Sequence, residues 1–264
     1  MPDFELAASE FVRQADILEA LVQTVDVSAG QDGVQPVLIG EVALPVIPAG
    51  GQNTMAAAAI ALLASHFEEF VRQQIEEYAR AVLDDFDYLK PEFIEKVADH
   101  YWKAGTSKLG RIRPKGSLGW AGRAEPILRG LIDYPVSGTI AAFQPYLLSE
   151  HDHNMRWDTI CELTGRVGIK SLDGLIFKNG SFKSLLGSPK ADARTRQIKT
   201  KLNDFYELRN GIIHSISQNT GIGAATFSQW VQFFRIFAPA FVDALNEAHA
   251  KFSAEVAVTK AGAA

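Results

Sequence analysis

Between residues 52 and 87 the apolar residues Ile60, Leu63, Phe67, Val71, Ile75, Tyr78 and Val82 recur three or four positions apart. At about 100° per residue this spacing gathers them into one narrow sector, which a helix can bury and a strand cannot. A helix that long needs other helices against its stripe, so the segment commits much of the chain to helical packing. Its polar face needs no functional explanation. Glu68 with Arg72 and Glu76 with Arg80 stand four apart, in the order that stabilises a helix.

The rest of the chain follows the same period. Phe11, Ala15, Leu18, Val22 and Val25 predict an amphipathic helix over about 5–26, and Pro91 fits the first turn of one over about 91–104. The Gly- and Arg-rich stretch 105–124 should break that helix. Short helices are expected at 124–133, 139–148 and 154–168. Ser188 and Pro189 read as cap and first turn of a helix reaching about 217. A last helix over about 225–252 carries Trp230, Phe234, Phe237, Phe241 and Leu245, with Pro239 expected to bend it. Residues 28–51 are rich in Gly and Pro with short β-branched runs, which can add a short β-hairpin near 34–48. The expectation is an all-α bundle with Gly/Pro-rich insertions, read as a single domain over 1–264 because no linker or repeat divides it.

Composition narrows the setting. The only cysteine, Cys161, excludes an internal disulfide, and no basic start followed by an apolar run opens the chain, so a reducing cytoplasm is the expected location. The most apolar run, residues 55–64, is about half what a bilayer crossing needs, so no membrane association is expected. Net charge is −5, yet fourteen of the 26 basic residues lie within 103–129 and 178–201. These two segments are either solvated loops or a phosphate-binding surface on an acidic protein, with Arg194, Arg196 and Lys199 the candidates nearest the helix that ends at about 217.

Several chemical motifs fail. "GTSKLGRI" at 105–112 has the glycine spacing of a phosphate loop, but Arg111 and Ile112 stand where Lys and Ser or Thr are required. "HDHN" at 151–154 offers alternate imidazoles without a distant third ligand, so a polar turn is expected and no metal. His66, His100 and His249 read as surface residues, and Cys161 as a buried small side chain.

"FYELRNGIIHS" at 205–215 is different. Counting from Ile198, the residues Leu202, Phe205, Ile212 and Ile216 form a buried stripe, and Arg209 falls on the same line. An unpaired guanidinium does not belong in a core. Asn203, Glu207, Asn210 and His214 share a polar face, with His214 about 140° from Arg209 on an ideal helix. One straight helix therefore cannot bring the pair together. Either Gly211 lets the helix deform, or a second copy completes the site; pairing of Arg209 with a buried carboxylate elsewhere is the purely structural alternative.

"LRNGIIH" resembles the Arg-polar-x-His motif of the HEPN all-helical ribonucleases. "AAAAIALLASHFEEFVRQQIEEYAR" at 56–80 and "HNMRWDTICELTGRVGI" at 153–169 are similar to segments of its RiboL-PSP-HEPN branch. The resemblance implies a HEPN-like bundle and a cofactor-free, metal-independent endoribonuclease acting as a homodimer on RNA. It implies that His214 moves the proton, that Arg209 holds the phosphate and that Asn210 orients one or the other. Glu207, two turns before His214, is added as a supporting group. The resemblance further implies a prokaryotic defence or toxin-antitoxin setting with an antitoxin partner. The alternative it leaves is a non-catalytic RNA-binding or regulatory subunit. Ile216 stands where some members carry a tyrosine that is nucleotidylated, so that control is not expected here.

Overall fold

In a computed structural model, residues 2–29, 38–39, 42–43, 50–112, 119–187, 190–214 and 222–263 are described. They are helical almost throughout, as the periodicity demands. The helices are α1 Glu5–Ala29, α2 Gly51–Asp84, α3 Pro91–Arg111, α4 Trp120–Ser137, α5 Trp157–Arg166, α6 Leu172–Ile176, α7 Gly180–Leu186, α8 Ala191–His214 and α9 Ala224–Ala263. Short 3-10 turns lie at Phe86–Tyr88 and Pro145–Ser149. Two two-residue strands, β1 Leu38–Ile39 and β2 Val42–Ala43, pair antiparallel with Leu38 opposite Ala43, a minimal form of the expected hairpin. The fold is all-α. Among the described residues α2 is long and apolar enough to cross a bilayer by composition, and 44% of that window is buried inside the fold.

The chain forms two compact units. The first comprises Met1–Phe4, Val71–Lys178 and Val242–Ala264; the second comprises Glu5–Phe70 and Asn179–Phe241.

The second unit is built on phenylalanine. Phe11 of α1 stacks on Phe70 of α2 at 5.0 Å between ring centroids, and Phe67 lies 4.5 Å from Phe234 of α9. Phe205 of α8 enters the same cluster, 4.8 Å from Phe234 and 5.1 Å from Trp230. Offset and edge contacts of this kind add to the area that the rings bury. Arg235 of α9 pairs with Asp16 and Glu19 of α1 at the edge. The aromatic cluster fixes the rotation of α8 about its axis.

In the first unit α3 and α4 cross at two glycines. A Cβ on Gly105 would stand 3.1 Å from a Leu131 methyl, and one on Gly130 only 2.3 Å from the Tyr101 hydroxyl. Tyr101 stacks on Phe143 at 3.8 Å, and its hydroxyl accepts the Gln144 N–H at 3.1 Å. This crossing explains one departure from expectation. Gly105 does not break α3, because close approach to α4 offsets the propensity cost of about 1 kcal/mol. The helix therefore continues to Arg111, and the glycines of the rejected phosphate loop are helical.

Other boundaries also shift. The helix expected at 124–133 begins at Trp120 and runs through Pro126 and Pro135, and that expected at 139–148 is reduced to the turn Pro145–Ser149. Helix α9 continues to Ala263, with Val256 buried near its end. Helices α6 and α7 were not expected. On α2, Glu76 pairs with Arg80 as expected and also with Arg72 at 2.7 Å. Ser188, Pro189 and residues 215–217 lie outside the described residues.

Candidate active site

Helix α8 carries the motif. Ile198, Leu202, Phe205 and Tyr206 are buried along its inner face, and that face continues one turn further to Arg209. Arg209 is half-buried. Its Nη1 donates to Asn210 Oδ1 at 3.1 Å, whereas its Nε is buried and meets no hydrogen-bond acceptor among the described residues. A buried donor left unmatched costs about 1–3 kcal/mol, so this guanidinium is held at the expense of stability.

The opposite face is open. Asn203, Glu207, Gly211 and His214 are exposed and Asn210 is half-buried, so the expected polar face forms. Gly211 is helical, without positive φ, and the helix continues unbroken to His214. Gly211 thus does not deform the helix, and the described structure gives no contact between Arg209 and His214. A Cβ at Gly211 would meet nothing within 4 Å, so no described residue covers the surface beside it.

The cations sort differently from the charge pattern. Arg194 is only 8% exposed, a correction to its reading as a surface cation. It sits four residues before Ile198, on the same inner stripe as Leu202, Phe205 and Arg209. Arg196 is exposed and Lys199 half-buried, so these two remain available to solvent. Lys201 places its Nζ 4.6 Å over the Trp230 ring, a cation–π contact that the sequence reading missed. Tyr206, fully buried and three residues before Arg209, was also missed.

In the other basic segment four of the seven cations pair with acids. Lys103 pairs with Asp99 at 2.6 Å, Lys108 with Glu150, Arg111 with Asp152, and Arg129 with Glu125 at 2.8 Å. These four belong to the first unit and lie on α3 and α4, whereas Arg113 and Lys115 lie outside the described residues. "HDHN" is a polar turn: Asp152 holds Arg111, and His151 Nδ1 lies 2.7 Å from the His153 carbonyl oxygen. No group of three potential metal-ligating His, Cys, Asp or Glu side chains gathers among the described residues.

Three smaller readings change. His100 and His249 are half-buried, and burial pushes both below the usual histidine range. His249 lies edge-on to Phe4 and Tyr78. Cys161 is partly exposed.

A family model described as RiboL-PSP-HEPN matches residues 45–247, which include all of α2 to α8. No curated protein and no solved structure matches the chain.

Proposed function

The chain belongs to the RiboL-PSP-HEPN family, and from that membership we propose that it is a metal-independent endoribonuclease whose site is completed by a second copy. The observation that carries the reading is Arg209: an arginine whose buried Nε is unmatched among the described residues, on a straight helix that turns it about 140° from His214. A phosphate oxygen is the acceptor such a group lacks. Pairing two α8 helices, each uncovered at Gly211 by the described residues, would let Arg209 and His214 of different copies converge on one phosphodiester.

In this mechanism His214 takes the proton from the ribose 2′-hydroxyl, and the 2′-oxygen bonds to phosphorus. The bond from phosphorus to the 5′-oxygen breaks, and that oxygen gains a proton from an imidazolium. The products are a 2′,3′-cyclic phosphate and a 5′-hydroxyl. Arg209 holds the phosphate and its developing charge, with Asn210 fixing the guanidinium through their hydrogen bond. Glu207 shares the exposed face of His214 two turns away without bonding it in the single chain, and Arg196 and Lys199 contact flanking phosphates. No step needs a metal. A cytoplasmic defence or toxin-antitoxin setting with an antitoxin partner rests on the family alone.

A second reading, a non-catalytic RNA-binding or regulatory subunit, has one observation in its favour. His214 has no orienting hydrogen bond among the described residues, whereas catalytic imidazoles are commonly held by a third group. One experiment separates the two. Purified protein is incubated with mixed RNA or DNA, with and without chelator, beside Arg209→Ala and His214→Ala. Cleavage of RNA alone, chelator-resistant and lost in both variants, supports the nuclease. RNA binding without cleavage under every condition would establish the binding subunit.

A further inference from the structure

Helix α1 buries one face and exposes apolar residues on another. Phe11 packs on Phe67 and Phe70 of α2 and on Phe234 of α9, and Arg235 of α9 bonds Asp16 and Glu19. On a sector turned about 120° from Phe11, Ile17, Leu21 and Val27 are exposed, with the exposed Ala20 and Thr24 between them. From Ile17 to Val27 this stripe is about 15 Å long at 1.5 Å per residue.

The patch continues onto α2 within the same unit. The two helices run antiparallel: Glu10 lies within electrostatic reach of His66, and Gln52 Nε2 donates to the Asp26 carbonyl oxygen at 3.3 Å. Leu62 and Ala58, one and two turns before His66 on the same side of α2, are exposed, and the antiparallel register sets them alongside Ile17 and Leu21. Leu21 and Leu62 are each 50% exposed. One apolar residue in water is ordinary, whereas four large ones on adjoining helix faces mark an interaction surface.

Charge selects the partner. Helix α1 carries five acids against Arg13 alone, and the part of α2 in this unit adds Glu68 and Glu69 without a lysine or arginine. Arg235 answers two of the seven, so the surroundings of the stripe stay acidic. RNA, polyphosphates and anionic lipid surfaces carry the sign that this surface repels. A second copy carries the same acids, so self-pairing would set like charges together.

We propose that this face of α1 and α2 receives a basic amphipathic helix of a partner protein. Its apolar stripe covers Ile17, Leu21 and Leu62, and its lysines and arginines meet the surrounding carboxylates. Helix α1 lies ahead of residues 45–247, the part that the family model matches. The proposal does not rest on the nuclease reading, since none of these residues belongs to α8.

Fluorescence anisotropy of labelled synthetic peptides of about five helical turns, titrated with the full chain, tests it. One peptide carries Leu along one face and Lys elsewhere; a second has Glu in place of Lys; a third scrambles the Leu/Lys composition so that no apolar face forms. The Leu/Lys helix should bind at roughly micromolar concentration and the other two should not. Ile17→Gln/Leu21→Gln should weaken it about tenfold or more, with circular dichroism and thermal unfolding unchanged because both side chains are exposed. Leu62→Gln on α2 gives an independent check and should weaken it about threefold or more. Leu128→Gln/Ile132→Gln, at similarly exposed positions of α4, should leave the affinity at the wild-type value. No binding at about 100 μM, equal binding of the Glu or scrambled peptide, wild-type affinity in either test variant, or equal loss in the α4 variant would overturn the proposal. So would dissociation of a dimer by Ile17→Gln/Leu21→Gln in sedimentation, which would make a second copy the occupant, or competition by phosphatidylglycerol vesicles, which would make it a membrane. None of these outcomes bears on RNA cleavage.

Discussion

Replacing Arg209 with methionine should make the folded protein more stable while abolishing RNA cleavage. The substitution keeps an unbranched stem of similar helix propensity and deletes the guanidinium. It removes a buried Nε without an acceptor among the described residues, which is worth about 1–3 kcal/mol. It also removes the bond from Nη1 to Asn210 Oδ1, worth about 0.5–1.5 kcal/mol. The first effect is the larger, and the net gain is about 1 kcal/mol. For a chain of this size that raises Tm by roughly 2–4 °C. Thermal unfolding at a protein concentration giving the same oligomeric state for both proteins would measure it, since association itself shifts Tm. Arg209→Ala, which also loses the stem, should show a smaller gain or none. A Tm for Arg209→Met more than about 2 °C below wild type would refute the reasoning. The guanidinium would then have a structural partner, and its burial would say nothing about phosphate.

Charge reversal at Arg196 and Lys199 should weaken RNA binding and flatten its log–log salt dependence by about 0.7 for each phosphate no longer neutralised. Filter binding across salt concentrations measures this, and Arg13→Glu, at a residue already paired with Glu10, should change nothing; equal losses would refute the assignment. Gly168→Ala should cost at least about 2 kcal/mol in urea unfolding, because φ is +94° and Phe93 must move. Stability should decline as pH falls through 6.5, because the unfolded histidines then take protons that His100 and His249, held below that value by burial, still refuse. The loss should level off below their folded pKa values, and a Tm series over pH should flatten in His100→Gln and His249→Phe.

How much of this was legible depends on length and on tertiary contact. Helices α1, α2, α8 and α9 are long enough for several turns of apolar repeat to declare them. Helices α6 and α7, with five and seven residues, offer too few turns for a period to show. The extension of α3 could not be read locally, since Gly105 is tolerated only because Leu131 and Ile127 of α4 approach it. At the site, Arg209 is visible as a charge on an apolar line. Arg194 is on that same line, one turn before Ile198, but a count begun at Ile198 passes over it. It was read as one of a cluster with Arg196 and Lys199, and charge density along a chain carries no information about which side of a helix each charge occupies. The committed partners of Lys108 and Arg111 lie about forty residues away, at Glu150 and Asp152, so their neutralisation is invisible to any local window.

The placement of Lys201 over Trp230 also gives the protein an optical reporter. Of the four tryptophans, Trp102 and Trp120 are 50% and 40% exposed and emit from a watery environment, while Trp157 is buried with its Nε1 donating to Asp173. Among the described residues Trp230 alone of the four carries a lysine ammonium on its ring face, and it packs against Phe205 of the helix that bears the motif. A polyanion that recruits Lys201 withdraws a positive charge from that indole. With the two exposed tryptophans replaced by phenylalanine, the change in Trp230 emission over the constant signal of buried Trp157 therefore records occupancy along α8 without any label and in a variant that cannot turn over.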